Sequence, residues 1–217
     1  MPLDEKIRER VERSIAVVDE HGTRGRRLVE DARRLWSHLR HLFTLNLVDS
    51  EVRFDSLELA TYALQFPMQR ARTAQAGKAG RTSLRDRAEQ SAELLVTHFA
   101  DYDKPDEVLL DYTTRTLVEL PQAKPAVPEA RLLADAVNLD DFGLVGMLQY
   151  AAQIARNGEG VPQLLESARK RDVYGYWEAR LKDGFHFEPV RAIAVKRLAT
   201  YRHVATVLAD ELQEHTT

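Results

Sequence analysis

Cysteine is absent from the 217 residues. That excludes disulfides, thiolate nucleophiles and cysteine-based zinc or iron–sulfur sites, and it is compatible with a reducing compartment. No apolar run reaches the roughly 18 residues that a membrane-spanning helix needs, and the N-terminal Met1-Pro2-Leu3-Asp4-Glu5-Lys6 has no apolar core of signal-peptide length. A cytoplasmic protein with no membrane partner is therefore expected. Positive charge is not in excess: with a net charge of −3 there is no general electrostatic drive toward nucleic acid, so none is expected as a partner. Strand-like alternation, internal repeats and low-complexity tracts are missing as well. The most local absence is chemical: from Leu59 to Arg85 the chain holds no aspartate, glutamate or histidine. Divalent metals need such ligands, so this stretch cannot supply them.

What is present is helical pattern. The chain is 44% apolar and 30% charged, ordinary values for a globular protein that can bury a core. Leu28, Ala32, Leu35, Leu39 and Leu42 fall at the spacing of one buried helical face, widened by Val29, Trp36 and Phe43. A first helix is expected from about Asp4 to Asp19, ending near His21-Gly22, and a second up to about Leu47. A third, from about Asp55 to Gln65, must stop at Pro67. A small, basic loop carrying Arg70, Arg72, Lys78, Arg81 and Arg85 follows. Thr82 or Ser83 caps a fourth helix to about Ala100, and Pro105 opens a fifth to about Leu120. After a connector holding Pro121, Pro125 and Pro128, helices are expected over about Pro128–Val137, Asp141–Arg156, Pro162–Lys182 and Glu188–Glu214. The fold class is all-α, a single-domain bundle of about eight or nine helices over residues 1–217.

Four segments carry a family resemblance, in order along the chain. They are Arg26-Arg27-Leu28-Val29 with Ala32, the Leu57–Leu64 segment, Asp135-Ala136-Val137-Asn138-Leu139-Asp140-Asp141-Phe142-Gly143, and Tyr174-Gly175-Tyr176-Trp177-Glu178 through Arg191 with the long helix after it. Together they resemble the HD superfamily of metal-dependent phosphohydrolases, whose members are all-helical and hold metal through a histidine, a His-Asp doublet and a later aspartate. By position, the resemblance puts the first histidine near Arg24 or Gly25, the doublet at Gln65-Phe66 and the last aspartate at Val137. The ligand chemistry is replaced at each, so the resemblance implies a degenerate HD-like domain without its di-metal site, and no metal or other cofactor is expected.

Cations stand on or beside the former ligand positions: Arg24, Arg70, Arg72 and Arg87. A guanidinium can hold phosphate or carboxylate bidentately without activating water. The leading expectation is a small anionic molecule bound in the former active-site pocket by Arg24, Arg70 and Arg87, with Gln65, Gln69 and Asn138 as neutral partners and Phe66 and Tyr176 beside them. The bland alternative is a set of solvated arginines.

A second expectation is a metal-independent isomerase, lyase or cyclase in the same cavity, with Asp135, Asp140 and His186 as catalytic candidates. Against it, Asp140 or Asp141 would cap a helix starting at Phe142, and a lone His186 is more often structural. A third expectation is an interaction subunit with Phe66 and Met68 filling the old cavity. The chain is also compatible with a homodimer.

His38 and His41 read as a surface pair rather than metal ligands. Tyr174, Tyr176 and Trp177 read either as core or as a wall for a planar ligand. Gly77-Lys78-Ala79-Gly80-Arg81-Thr82 fails the phosphate-loop pattern, since Arg72 stands where its first glycine belongs. No nucleophile elbow is present.

Overall fold

A computed structural model describes residues 1–16, 24–48, 51–68, 83–100, 106–155 and 158–214, with residues 24–27 and 214 described by backbone alone. Among them are ten α-helices and no strand. The helices are α1 (Glu5–Ile15), α2 (Arg24–Phe43), α3 (Phe54–Ala63), α4 (Leu84–Phe99), α5 (Glu107–Glu119), α6 (Pro128–Asp140), α7 (Leu144–Ala155), α8 (Val161–Val173), α9 (Tyr176–Asp183) and α10 (Glu188–Glu214). The chain divides into two compact units, Met1–Ala134 and Asp135–Thr217.

The first unit is organised around α3, in which every residue from Asp55 to Ala63 is buried. It packs against α1, α2, α4 and α5. A helix surrounded on all sides must satisfy whatever polar groups it carries, and α3 does. Glu58 accepts from Arg8 Nε at 2.7 Å and from the Leu3 N–H. Arg53 grips Asp55 through Nε and Nη2. The Thr113 hydroxyl donates to the Leu109 carbonyl at 2.7 Å and its oxygen lies 3.3 Å from Ser56 Oγ, whose hydroxyl can donate to it. Tyr62 donates to Glu12 at 2.9 Å, and Arg33 clasps the same carboxylate from outside at 2.8 and 2.6 Å.

Local signals set the ends of the helices. Asp4, Ser83 and Asp106 cap α1, α4 and α5 through their side chains. Glu119 closes the proline-rich connector by accepting the N–H groups of Ala126 and Val127. The α2 stripe of Leu28, Ala32, Leu35, Leu39 and Leu42 is buried as its spacing requires, while His41 is exposed.

In the second unit α7 and α9 pack on α8 and α10, and α8 also meets α10. Trp177 is fully buried, with Phe142, Tyr176 and Tyr201 at ring-centroid distances of 4.9, 5.0 and 5.3 Å. Phe185 packs on Phe142. The Arg171 guanidinium caps this cluster, 4.5 Å from the Tyr150 ring and 5.5 Å from Trp177.

Three expected helices differ from the observed ones. The helix expected to reach Gln65 and stop at Pro67 ends at Ala63, and residues 66–68, Pro67 among them, are helical again. The helix expected from Pro162 to Lys182 is two, because Gly175 takes a left-handed conformation (φ 64°) that ends α8 and restarts the chain as α9. That split accounts for ten helices rather than nine. The helix expected from Asp141 starts instead at Leu144, because Gly143 stands at φ 83° and accepts the Met147 N–H. Asp140 and Asp141 are therefore not its caps.

Candidate functional site

A pocket of about 500 Å³ opens in the second unit, lined by Asn138, Tyr174, Tyr176, Ala179, Arg180 and Asp183, with Gly175 and Gly184 supplying backbone. The helix break at Gly175 creates it. Tyr174 is left at the exposed end of α8, 78% accessible, while Tyr176 starts α9 and Arg180 follows one turn later on the same face.

Arg180 is positioned from three directions. Its Nη2 donates to Asn138 Oδ1 at 2.7 Å, and its Nη1 donates to the Tyr176 hydroxyl at 3.0 Å and forms an ion pair with Asp141 Oδ2 at 3.0 Å. Asn138 is itself fixed by donating Nδ2 to the Gly184 carbonyl. The result is an oriented guanidinium beside two tyrosine rings, a geometry with the chemistry to take a carboxylate or phosphate attached to a planar group. Its charge is balanced within the protein: an incoming anion competes with Asp141 rather than meeting a bare cation. Asp183 is the carboxylate among the lining residues.

Asp135 and His186 are brought together, though not as an acid–base pair. Asp135 is completely buried, and its two oxygens accept the backbone N–H groups of His186 and Phe187 at 2.7 and 3.0 Å. Those N–H groups lie just before α10, so Asp135 caps that helix from a distance. Burial is the largest influence on its carboxyl, pushing it up to about 7 against the pull of the two N–H groups and Arg191. Asp140 accepts from Gln149 at 3.3 Å, away from the pocket lining.

Of the other expected site residues, Gln65, Phe66 and Arg87 belong to the first unit. Arg87 donates Nε to the Leu64 carbonyl at 2.7 Å, at the C-terminal end of α3, where a cation is favoured. Gln65 and Phe66 are buried, and the Phe66 ring lies 5.3 Å from that of His98, whose imidazole is held below its usual pKa by burial and then by Arg10. The Arg24 side chain, Gln69, Arg70 and Arg72 lie outside the described residues, as do His21-Gly22, Thr82 and Pro105.

Sequence reasoning passed over Arg180, the residue around which the pocket is arranged. A usable signal existed in the Tyr176/Arg180 spacing of four, but it has meaning only once a helix is known to begin at Tyr176.

Among the described residues no group of three or more His, Asp or Glu side chains gathers as a metal-binding cluster. No helix among them is long and apolar enough to cross a membrane. Comparison with protein-family models, with curated proteins and with solved structures yields no match.

Proposed function

We propose that this chain is a divergent HD-like helical protein that has given up di-metal phosphohydrolase chemistry and binds a small anionic molecule in the pocket around Arg180. The observation that carries this reading is the three-point orientation of Arg180 by Asn138, Tyr176 and Asp141 at an open pocket edged by Tyr174 and Tyr176. Asn138 belongs to the segment resembling the HD family's last ligand motif, and Tyr176 to the distal segment of that resemblance. A planar acid would lay its ring against Tyr174 and Tyr176 and exchange its carboxylate or phosphate for Asp141 on the guanidinium.

The test is calorimetry with phenyl phosphate, benzoate and benzamide, alongside native mass spectrometry of freshly purified protein. Phenyl phosphate and benzoate should bind the wild type. They should bind Asp141→Asn more tightly and Arg180→Gln at least tenfold more weakly (about 1.4 kcal/mol), while benzamide should be insensitive to both changes. Equal binding of benzamide and benzoate would remove the anion from the proposal. No binding of any probe, together with no copurified adduct, would remove the pocket.

A metal-independent enzyme is the second reading, and one observation favours it: the buried Asp135 carboxyl, pushed up to about 7 by desolvation, stands one turn along α6 from Asn138. Such an enzyme would have to free Asp135 from the His186 and Phe187 N–H groups before it could take a proton from substrate.

A further inference from the structure

Helix α7 carries no Asp, Glu, Lys, Arg or His, alone among the ten described helices. At about 100° per residue, Leu144, Val145, Leu148, Ala151, Ala152 and Ala155 share an arc of about 120°. The opposite side supplies Gly146, Met147 and Ile154 to the core, where α7 meets α8 and α10. The hydrocarbon arc faces outward: Leu148 is 68% accessible, Leu144 40% and Val145 37%, and Ala155 is exposed. Gln149 and Gln153 border the arc on one side, and a contiguous, uncharged apolar arc of this kind marks a contact surface.

The arc itself identifies what covers it. A charged partner finds no complementary group there, so the matching face must be equally free of charge. Along the arc the bulky residues sit in the N-terminal half and the alanines in the C-terminal half. Reversing the helix against itself places Leu144 opposite Ala155 and Leu148 opposite Ala151, large against small at each level. Antiparallel packing also opposes the two helix dipoles favourably, and residue i meets residue j as a two-fold axis demands.

We infer that α7 is the self-complementary interface of a homodimer, two copies packing antiparallel with Leu144 of each against Ala155 of the other.

Light scattering on a sizing column and cysteine cross-linking test this. Wild-type protein should run at twice the chain mass. Leu148→Glu should run at the mass of one chain, with an unchanged circular dichroism spectrum. Because the chain has no native cysteine, paired sites report the register cleanly. The double variant Leu144→Cys/Ala155→Cys should be captured as a covalent dimer on mild oxidation. Each single variant should not, since like positions would stand about 16 Å apart along the axis. A wild type at one chain mass at every concentration overturns the inference, as does a Leu148→Glu protein that stays dimeric. So does Leu144→Cys cross-linking to itself, which would require a parallel or unrelated contact.

Discussion

Replacing Asp135 by asparagine separates the charge of a buried cap from its shape. The carboxyl is raised from its ordinary 3.8 to about 7, burial being the dominant cause. Between those values the folded protein holds a proton on Asp135 that the unfolded chain has released. Its contribution to stability is therefore complete below about pH 4 and lost as pH rises to about 7, after which it is level. A shift of about three units corresponds to a ceiling of about 4 kcal/mol over that window. Near pH 4 the protonated carboxyl still offers its carbonyl oxygen to one N–H group and the lone pairs of its hydroxyl oxygen to the other, whereas asparagine turns an amide NH₂ with no acceptor toward that second group, leaving His186 or Phe187 without its acceptor, at a cost of about 1–3 kcal/mol. Asp135→Asn should accordingly be less stable than wild type near pH 4. The gap should narrow steadily up to pH 7, then vanish or reverse, and stay constant above. Urea unfolding at several pH values measures this. The chain has two tryptophans, so a Trp36→Phe background leaves the buried Trp177 to report on the second unit. Because every other titrating group is common to both proteins, the difference isolates Asp135. A gap that widens as pH rises would mean that the charge stabilises the cap, and would refute the argument.

Two further changes probe the packing. Glu58→Gln removes the charge that meets Arg8 and weakens the hold on the Leu3 N–H. Because Arg8 keeps partial access to water, the expected loss is about 1–3 kcal/mol rather than the larger cost of stranding a fully buried cation; no change in the urea midpoint would contradict the role given to this pair. Gly146→Ala would put a Cβ 2.2 Å from the Asp141 carbonyl oxygen, whereas at Gly158 (φ 78°) the added atom meets nothing within 4 Å. The first should cost about 1–3 kcal/mol or more by overpacking, the second about 1–2 kcal/mol of left-handed strain alone, and a reversed order of thermal midpoints would show that the Asp141–Gly146 contact is not tight.

The all-helical class was legible because its signals are local. The buried stripe of α2 can be read from leucine spacing, and α4 begins at Ser83 because a serine there can cap. The helix breaks were harder. Gly175 and Gly143 both take positive φ, yet each sits in a run that otherwise looks helical, and an isolated glycine is tolerated in helices. Missing the break at Gly175 meant missing the pocket, because that turn is what presents Tyr174, Tyr176 and Arg180 around one cavity. Asp135 stands out in the sequence as a catalytic candidate, but sequence cannot distinguish a base from a cap: the two N–H groups that it accepts lie about fifty residues away.

The polar residues of α3 follow the same logic and explain why pattern alone underdescribes this chain. By residue type alone, Asp55, Ser56, Glu58 and Thr61 would be placed at a surface, but they are spread around α3 rather than gathered on one face, and in the structure all four are buried. Two are compensated locally, Asp55 by Arg53 and Thr61 by the Leu57 carbonyl one turn back, and two by groups that only tertiary structure brings near, Thr113 for Ser56 and Arg8 for Glu58. A buried carboxylate with its cation removed is costly, whereas the intact pair contributes little net stability. The value of such pairs lies in specificity, since wrong packings of α1 or α5 on α3 would leave a charge or hydroxyl without its partner. Arg180 shows the same device turned outward. Its partners Asn138, Tyr176 and Asp141 hold the guanidinium in place before any ligand arrives, and a pre-oriented donor loses less freedom on binding than a solvated one. That preparation is why the oriented guanidinium of α9 carries the proposed binding role.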